Sequence, residues 1–116
     1  MYLNLIVIRT NQPKKLSEFY EQLGVQFDYH RHGKGAWHYS AEIGNLVFEI
    51  YPLMKYQKQP DKSLRLGFTI ENLDKLILRL KQQNVEIVKM PKASEWGYFA
   101  IIKDLDGRKI ELKQAG

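Results

Sequence analysis

Residues 3–24 read LNLIVIRTNQPKKLSEFYEQLG, and residues 64–84 read LRLGFTIENLDKLILRLKQQN. In the first stretch the β-branched run over residues 3–8 suits a strand buried on both faces. Thr10 and Asn11 then offer side-chain oxygens to cap a helix, and Pro13 fits the first turn of that helix. Leu16, Phe19, Tyr20 and Leu23 follow at the spacing of one helical face. Gly24 stands where a helix commonly ends in a left-handed residue. The second stretch repeats this order. A strand over residues 64–70 leads to an Asn72 cap, an apolar stripe of Leu73, Leu76, Ile77 and Leu80, and Asn84 at the place of Gly24.

Outward from these two stretches the pattern changes to period two. Val25, Phe27 and Tyr29 alternate with polar residues as a half-exposed strand, and Gly33 and Gly35 mark a turn. Residues 36–42 and 46–51 then form β-prone segments joined through Ile43, Gly44 and Asn45, a hairpin. The second copy carries a strand over residues 85–89 and two more over residues 96–103 and 109–113, flanking the turn Asp104, Leu105, Asp106, Gly107. Asn11 and Asn72, Gly24 and Asn84, and Glu49 and Glu111 lie roughly 60 positions apart, the mark of an internal duplication. The sequence therefore predicts an α+β fold of two βαβββ units in one domain, residues 1–116. Unit 1 covers about residues 1–52, a proline-containing linker about 53–62, and unit 2 about 63–116. A four-stranded sheet with one helix has an uncovered apolar face, so the expectation is a partly closed, cup-shaped mixed sheet with flanking helices.

Composition excludes several classes. A chain of 116 residues, 44% hydrophobic and 27% charged, fits one globular domain. No apolar run approaches the ~20 residues of a membrane span, and residues 1–8 lack the pattern of a secretory signal, so a cytoplasmic protein without a membrane partner is expected. With no cysteine there is no disulfide, thiolate metal site or cysteine nucleophile. The formal charge of +5 would suit nucleic acid only if the cations clustered. Lys14, Lys15, Lys75, Arg79, Lys81, Lys103, Arg108, Lys109 and Lys113 are instead scattered, which reads as a solvated surface and not a nucleic-acid partner. A glycine-rich phosphate loop, a GxSxG elbow and an HExxH helix are absent.

Three segments carry a family resemblance: residues 16–24 (LSEFYEQLG), residues 47–51 (VFEIY) and residues 104–112 (DLDGRKIEL). Together with the duplication, they resemble the vicinal oxygen chelate superfamily of glyoxalases, bleomycin-resistance proteins and extradiol dioxygenases. The resemblance implies a homodimer and, in metal-dependent members, four ligands inside the cup, one from the first and one from the last strand of each unit. Those positions fall here on Leu5, Glu49, Arg65 and Glu111. Leucine has no donor atom and a guanidinium repels a cation, so only the two carboxylates remain of a degenerate metal site. No cofactor is expected there, with a divalent metal as the alternative.

What the cup could hold instead follows from strand periodicity. A turn centred on Gly44 and Asn45 sets Ser40 opposite Glu49 and His38 opposite Tyr51 on one face. Arg65, Gly67 and Thr69 share a face by the same period, and Glu111 joins them. Arg65, Glu49, Glu111, His38 and Tyr51 are thus the candidate ligand-binding residues. Arg65 would take a carboxylate, phosphate or enolate-like oxygen, unless it merely pairs with Glu49 or Glu111. His30 and His32, beside Arg31, read as surface histidines. Trp37, Tyr39, Trp96, Tyr98 and Phe99 either wall a pocket or complete the core. The expected function is metal-free binding of a small organic molecule, with an anionic one among the candidates, in the manner of the glyoxalase and bleomycin-resistance proteins. A metal-dependent lyase, isomerase or dioxygenase and a non-catalytic interaction or sequestering protein are the alternatives.

Overall fold

A computed structural model describes residues 1–116, and in it the chain divides into unit 1, Met1–Asp61, and unit 2, Lys62–Gly116. Each unit has the same order of elements. Unit 1 contains β1 (Leu5–Thr10), α1 (Pro13–Glu21), β2 (Asp28–His30), β3 (His38–Ile43) and β4 (Leu46–Pro52). Unit 2 contains β5 (Leu66–Ile70), α2 (Leu73–Gln82), β6 (Ile87–Ser94), β7 (Gly97–Lys103) and β8 (Lys109–Gln114). The sheets are mixed and four-stranded, ordered β1-β4-β3-β2 and β5-β8-β7-β6. In each, the first strand runs parallel to the last and the hairpins are antiparallel, so the helix crosses over one face. The α+β architecture of two βαβββ units expected from the repeat is the one observed.

The two helices end alike for the reason the repeat suggested. Gly24 has φ +108° and Asn84 φ +63°, and the following amides, Val25 N–H and Val85 N–H, return to the carbonyls of Tyr20 and Leu80. Asn84 is the one non-glycine residue with positive φ, a conformation in which asparagine is tolerated because its short side chain adds little steric cost. At the other end the copies differ. Asn72 caps α2 by accepting the Lys75 N–H at 3.2 Å, whereas α1 starts from Gln12 with no side-chain cap. Thr10 lies in β1, its hydroxyl accepting the Gln12 N–H. Proline at the helix start, whose φ is already helical, stands in for the cap expected from Thr10 and Asn11.

The cores lie between each helix and its sheet. Leu16, Phe19 and Tyr20 of α1 are buried with Ile8, Ala41, Phe48 and Ile50, and Tyr20 meets Phe48 edge-on at 5.1 Å between ring centres. In unit 2, Leu73, Leu76, Ile77 and Leu80 are buried with Ala100, Ile102, Ile110 and Leu112. β1 departs from the expected burial on both faces: Leu5 and Val7 are exposed while Ile8 and Thr10 are buried, because α1 covers one side only. Strand bounds also move. β2 is three residues long and leaves out Val25 and Phe27, β5 begins after Arg65, and β6 runs past residue 89 to Ser94 through two register shifts.

The turn before β8 holds an unexpected polar core. Arg108 is 1% exposed, and its Nη1 donates to Asp104 Oδ2 at 3.1 Å and to Asp106 Oδ2 at 2.8 Å. Asp104 Oδ1 meanwhile accepts the N–H groups of Asp106 and Arg108. The reading of Arg108 as part of a solvated surface is therefore corrected. Burial works against its charge, but the hydrogen bond to Asp106 and the charge and hydrogen bond of Asp104 outweigh it and hold the guanidinium above its ordinary value. Gly107, at φ +96°, lets the chain reverse tightly enough to set both carboxylates on one guanidinium.

Candidate functional site

The face of each sheet turned away from its helix is where the polar residues gather. In unit 1, parallel pairing sets Val7 beside Glu49 and antiparallel pairing sets Glu49 opposite Ser40, which in turn lies opposite Asp28. His30 pairs with His38 on the same face. The register expected for Ser40 and Glu49 is the observed one. His38 lies flat on Tyr51, with ring centres 4.0 Å apart and planes within 9°.

His38 is wholly buried although Glu49 beside it is 9% exposed. Its Nδ1 lies 3.0 Å from the Ala36 carbonyl, which can only accept, so Nδ1 carries a hydrogen, and in the neutral tautomer this leaves a bare lone pair at Nε2. That Nε2 comes within 3.3 Å of Glu49 Oε2 without the alignment of a hydrogen bond. The histidines expected at the surface behave differently from one another. His32 is exposed, but His30 is half-buried with Nε2 enclosed and without a hydrogen-bond partner. Their rings lie against each other and against His38, with centroids 4.6 to 5.3 Å apart. Arg9 stands 4.9 Å over the Tyr51 ring and donates to the Pro52 carbonyl. Burial first, and then the charge of Glu49, hold the Tyr51 phenol above its ordinary value, with Arg9 opposing them.

Next to this group a groove of about 540 Å³ is lined by Gln26, Phe27, Asp28, His30, Ser40, Ala41 and Glu42. Its charged groups are the carboxylates of Asp28 and Glu42. The aromatic residues sort to the other side of the sheet: Tyr29 stacks on the exposed Trp37 at 5.1 Å and tilts against Tyr39, whose partner on β4 is the buried Ile50. Trp96 is exposed, so neither tryptophan completes a core.

In unit 2 the corresponding face carries Glu111, which lies beside Gly67 on β5 and opposite Ile101 on β7. A Cβ at Gly67 would lie 4.0 Å from Glu111 Oε2, an ordinary contact. Lys109 and Lys113 flank Glu111 on the same face by the two-residue period. Arg65 precedes β5 and is exposed, so its side-chain direction is not set by strand pairing as the sequence reading assumed. Among the five candidates, His38, Glu49 and Tyr51 come together in unit 1, and Arg65 and Glu111 belong to unit 2. The positions that the resemblance implies for a metal do not fit one: Leu5 brings no donor, and Arg65 brings a permanent positive charge.

A groove on the helix side of unit 2, about 230 Å³, is lined by Asp74, Ile77, Leu78, Lys81, Met90, Pro91 and Tyr98. There Tyr98 donates to Asp74 at 2.6 Å, and this bond, ahead of burial and the Asp74 charge, holds the phenol above its ordinary value.

Comparison with known proteins agrees with the fold. No curated protein matches the sequence. A structure described as a hypothetical protein from S. aureus superposes with a TM-score of 0.75 at 18% identity, covering 99% of this chain and 97% of that one. TnmS3, an antibiotic binding protein from Streptomyces sp. CB03234, gives 0.76 at 23% identity over 100% and 97% of the two chains. A glyoxalase/bleomycin resistance protein from the same Streptomyces gives 0.71 at 23% identity over 97% and 100%. At these identities the likeness is one of fold. The family model for the glyoxalase, bleomycin resistance protein and dioxygenase superfamily matches residues 2–112, and with the duplicated βαβββ unit this places the chain in that superfamily.

Proposed function

We propose that this protein binds a small organic molecule on the helix-free faces of its sheets, as a binding protein in which the superfamily's four strand positions do not together hold a metal. The observation that carries the reading is the flat His38–Tyr51 pair, stacked at 4.0 Å on a face no helix covers, with Glu49 beside it. The buried His38 backs the half-buried Tyr51, whose exposed edge is the part a ligand would meet, and a few polar groups around such an aromatic edge orient it. In unit 1 those groups are Glu49, Ser40 and the acidic groove of Asp28 and Glu42, which suit donor or cationic groups. In unit 2, Arg65, Lys109 and Lys113 suit an anionic group, with Glu111 among them. A protein of the same fold is described as antibiotic binding, which makes antibiotics the first probes. The proposed working form is a cytoplasmic homodimer whose partner is the small molecule. Exposed Leu3, Leu5 and Val7 supply apolar surface for self-association.

The test is a thermal-shift and calorimetric titration with bleomycin, other polar aromatic antibiotics, and simple carboxylates and phosphates. A ligand at 100 times its Kd should add about 2.7 kcal/mol of stability. Tyr51→Ala should abolish the shift for the aromatic probes, and Arg65→Ala should abolish it for anionic ones. If no probe shifts the wild type, or both variants respond as it does, the binding reading fails. Sedimentation at micromolar concentration tests the dimer, and a monomer would refute it.

A further inference from the structure

We propose that His30, His32, His38 and Glu49 form a binding site, built entirely within unit 1, for a divalent first-row metal ion of the zinc class. One donor atom from each lies within 4.8 Å of the others. Three imidazoles and one carboxylate are ligands that zinc, nickel and copper accept, whereas magnesium and calcium favour all-oxygen sets. The site shares Glu49 with the superfamily's strand positions and nothing else, since Leu5, Arg65 and Glu111 take no part in it.

Two observations point to a cation and not to a chance gathering. The bare Nε2 lone pair of His38 and the oxygen of Glu49 are both electron-rich, and they stand 3.3 Å apart in a buried setting without a hydrogen bond between them. For metal–ligand bonds of about 2.0–2.1 Å, the edge of a tetrahedron is about 3.3–3.4 Å. These two atoms therefore already hold the spacing that a shared ion would impose. His30 Nε2 is the second observation: it too is enclosed and unpartnered, and a proton shared by His38 and Glu49 would leave it so.

The supports of a metal site are also present. The Ala36 carbonyl fixes the tautomer of His38 by taking its Nδ1 hydrogen, and Tyr51 fixes its ring plane. His30 is held by pairing with His38 across β2 and β3, and Glu49 by the neighbouring β4. His32 is exposed in the loop after β2, so it is the ligand free to close the remaining distance.

Tag-free protein, stripped with chelator and then dialysed against Zn²⁺ or Co²⁺, should retain one ion per chain by elemental analysis. Its Co²⁺ form should show the visible absorption of a four-coordinate site. His32→Ala, at an exposed position that does not disturb the fold, and His30→Ala should each weaken Zn²⁺ binding by about 100-fold or more. Loss of a supporting group alone costs 10–100-fold, and a direct ligand costs no less. Glu111→Gln should bind as the wild type does. The proposal is overturned if folded wild type retains no ion, if both histidine variants retain it equally, or if Glu111→Gln loses it while His32→Ala does not. Organic probes titrated into the stripped protein separate this outcome from the binding reading, because either can fail while the other stands.

Discussion

Replacing Arg108 by methionine would remove the charge from the turn before β8 while keeping most of the side-chain volume. The guanidinium is 1% exposed, and the Asp104 and Asp106 side chains it serves are 0% and 2% exposed, so water cannot take over either carboxylate without opening the turn. Removing one partner of a buried ion pair costs about 3–5 kcal/mol, because the charge left behind is buried without compensation. The upper half of that range applies here, since two carboxylates are stranded and not one. At about 4 °C per kcal/mol for a chain of this size, melting should fall by roughly 16–20 °C. The assay is urea denaturation followed by far-ultraviolet circular dichroism, with a lower midpoint and an unchanged slope. A triple variant with Asp104, Asp106 and Arg108 all replaced by apolar residues should recover part of the loss. A cost below about 1 kcal/mol, the level of an exposed ion pair, would refute the account of a dry charged core.

Other expectations follow from the same structure. Phe48→Ala should cost about 3–5 kcal/mol by chemical denaturation, because the ring is 2% exposed and edge-on to Tyr20. Gly97→Ala should cost about 1–3 kcal/mol, and Lys113→Ala should not rescue it. The new Cβ would lie 2.9 Å from the movable Lys113 Cε, but the strain comes from φ +117°. In a spectrophotometric titration of the seven tyrosines, Tyr98 should ionise above the ordinary range, and Asp74→Asn should bring it back down. Since the neutral phenol is the form favoured in the folded chain, its contribution to stability is present below the ordinary tyrosine value. That contribution is lost as pH rises through the raised one.

The fold was legible because apolar period and turn chemistry agreed along nearly the whole chain. The stripes of α1 and α2, the Gly44 turn and the paired helix ends at Gly24 and Asn84 each had a local signature, and all lie where expected. Bounds moved where the signature was ambiguous. A strand written as one apolar run, such as residues 3–8, does not say which face a helix will cover, and the lysines and Pro91 of β6 hide a strand that continues through two irregularities. In the site, pairing β3 with β4 set Ser40 opposite Glu49 correctly. The same step taken one strand further would have set His30 opposite His38, and the histidine group would have been visible beforehand. Arg108 was hidden for a different reason. Charge in a hairpin turn ordinarily faces water, and only the i, i+2, i+4 spacing of Asp104, Asp106 and Arg108 hinted that it closes on itself.

The strand orders carry a consequence for association. Each sheet ends in two kinds of edge. β2 is only three residues long, and β6 is broken by register shifts and carries Lys89, Pro91 and Lys92, features that discourage another strand from adding. β1 and β5, at the opposite ends, contain neither lysine nor proline and pair without interruption. Such a sheet resembles a monomer with one reactive terminus: it can be extended once, and the product then shows only guarded edges. Growth of that one sheet by strand addition therefore stops after a single joining step, and because the chain holds two such sheets it offers two joining edges, β1 and β5, and not one.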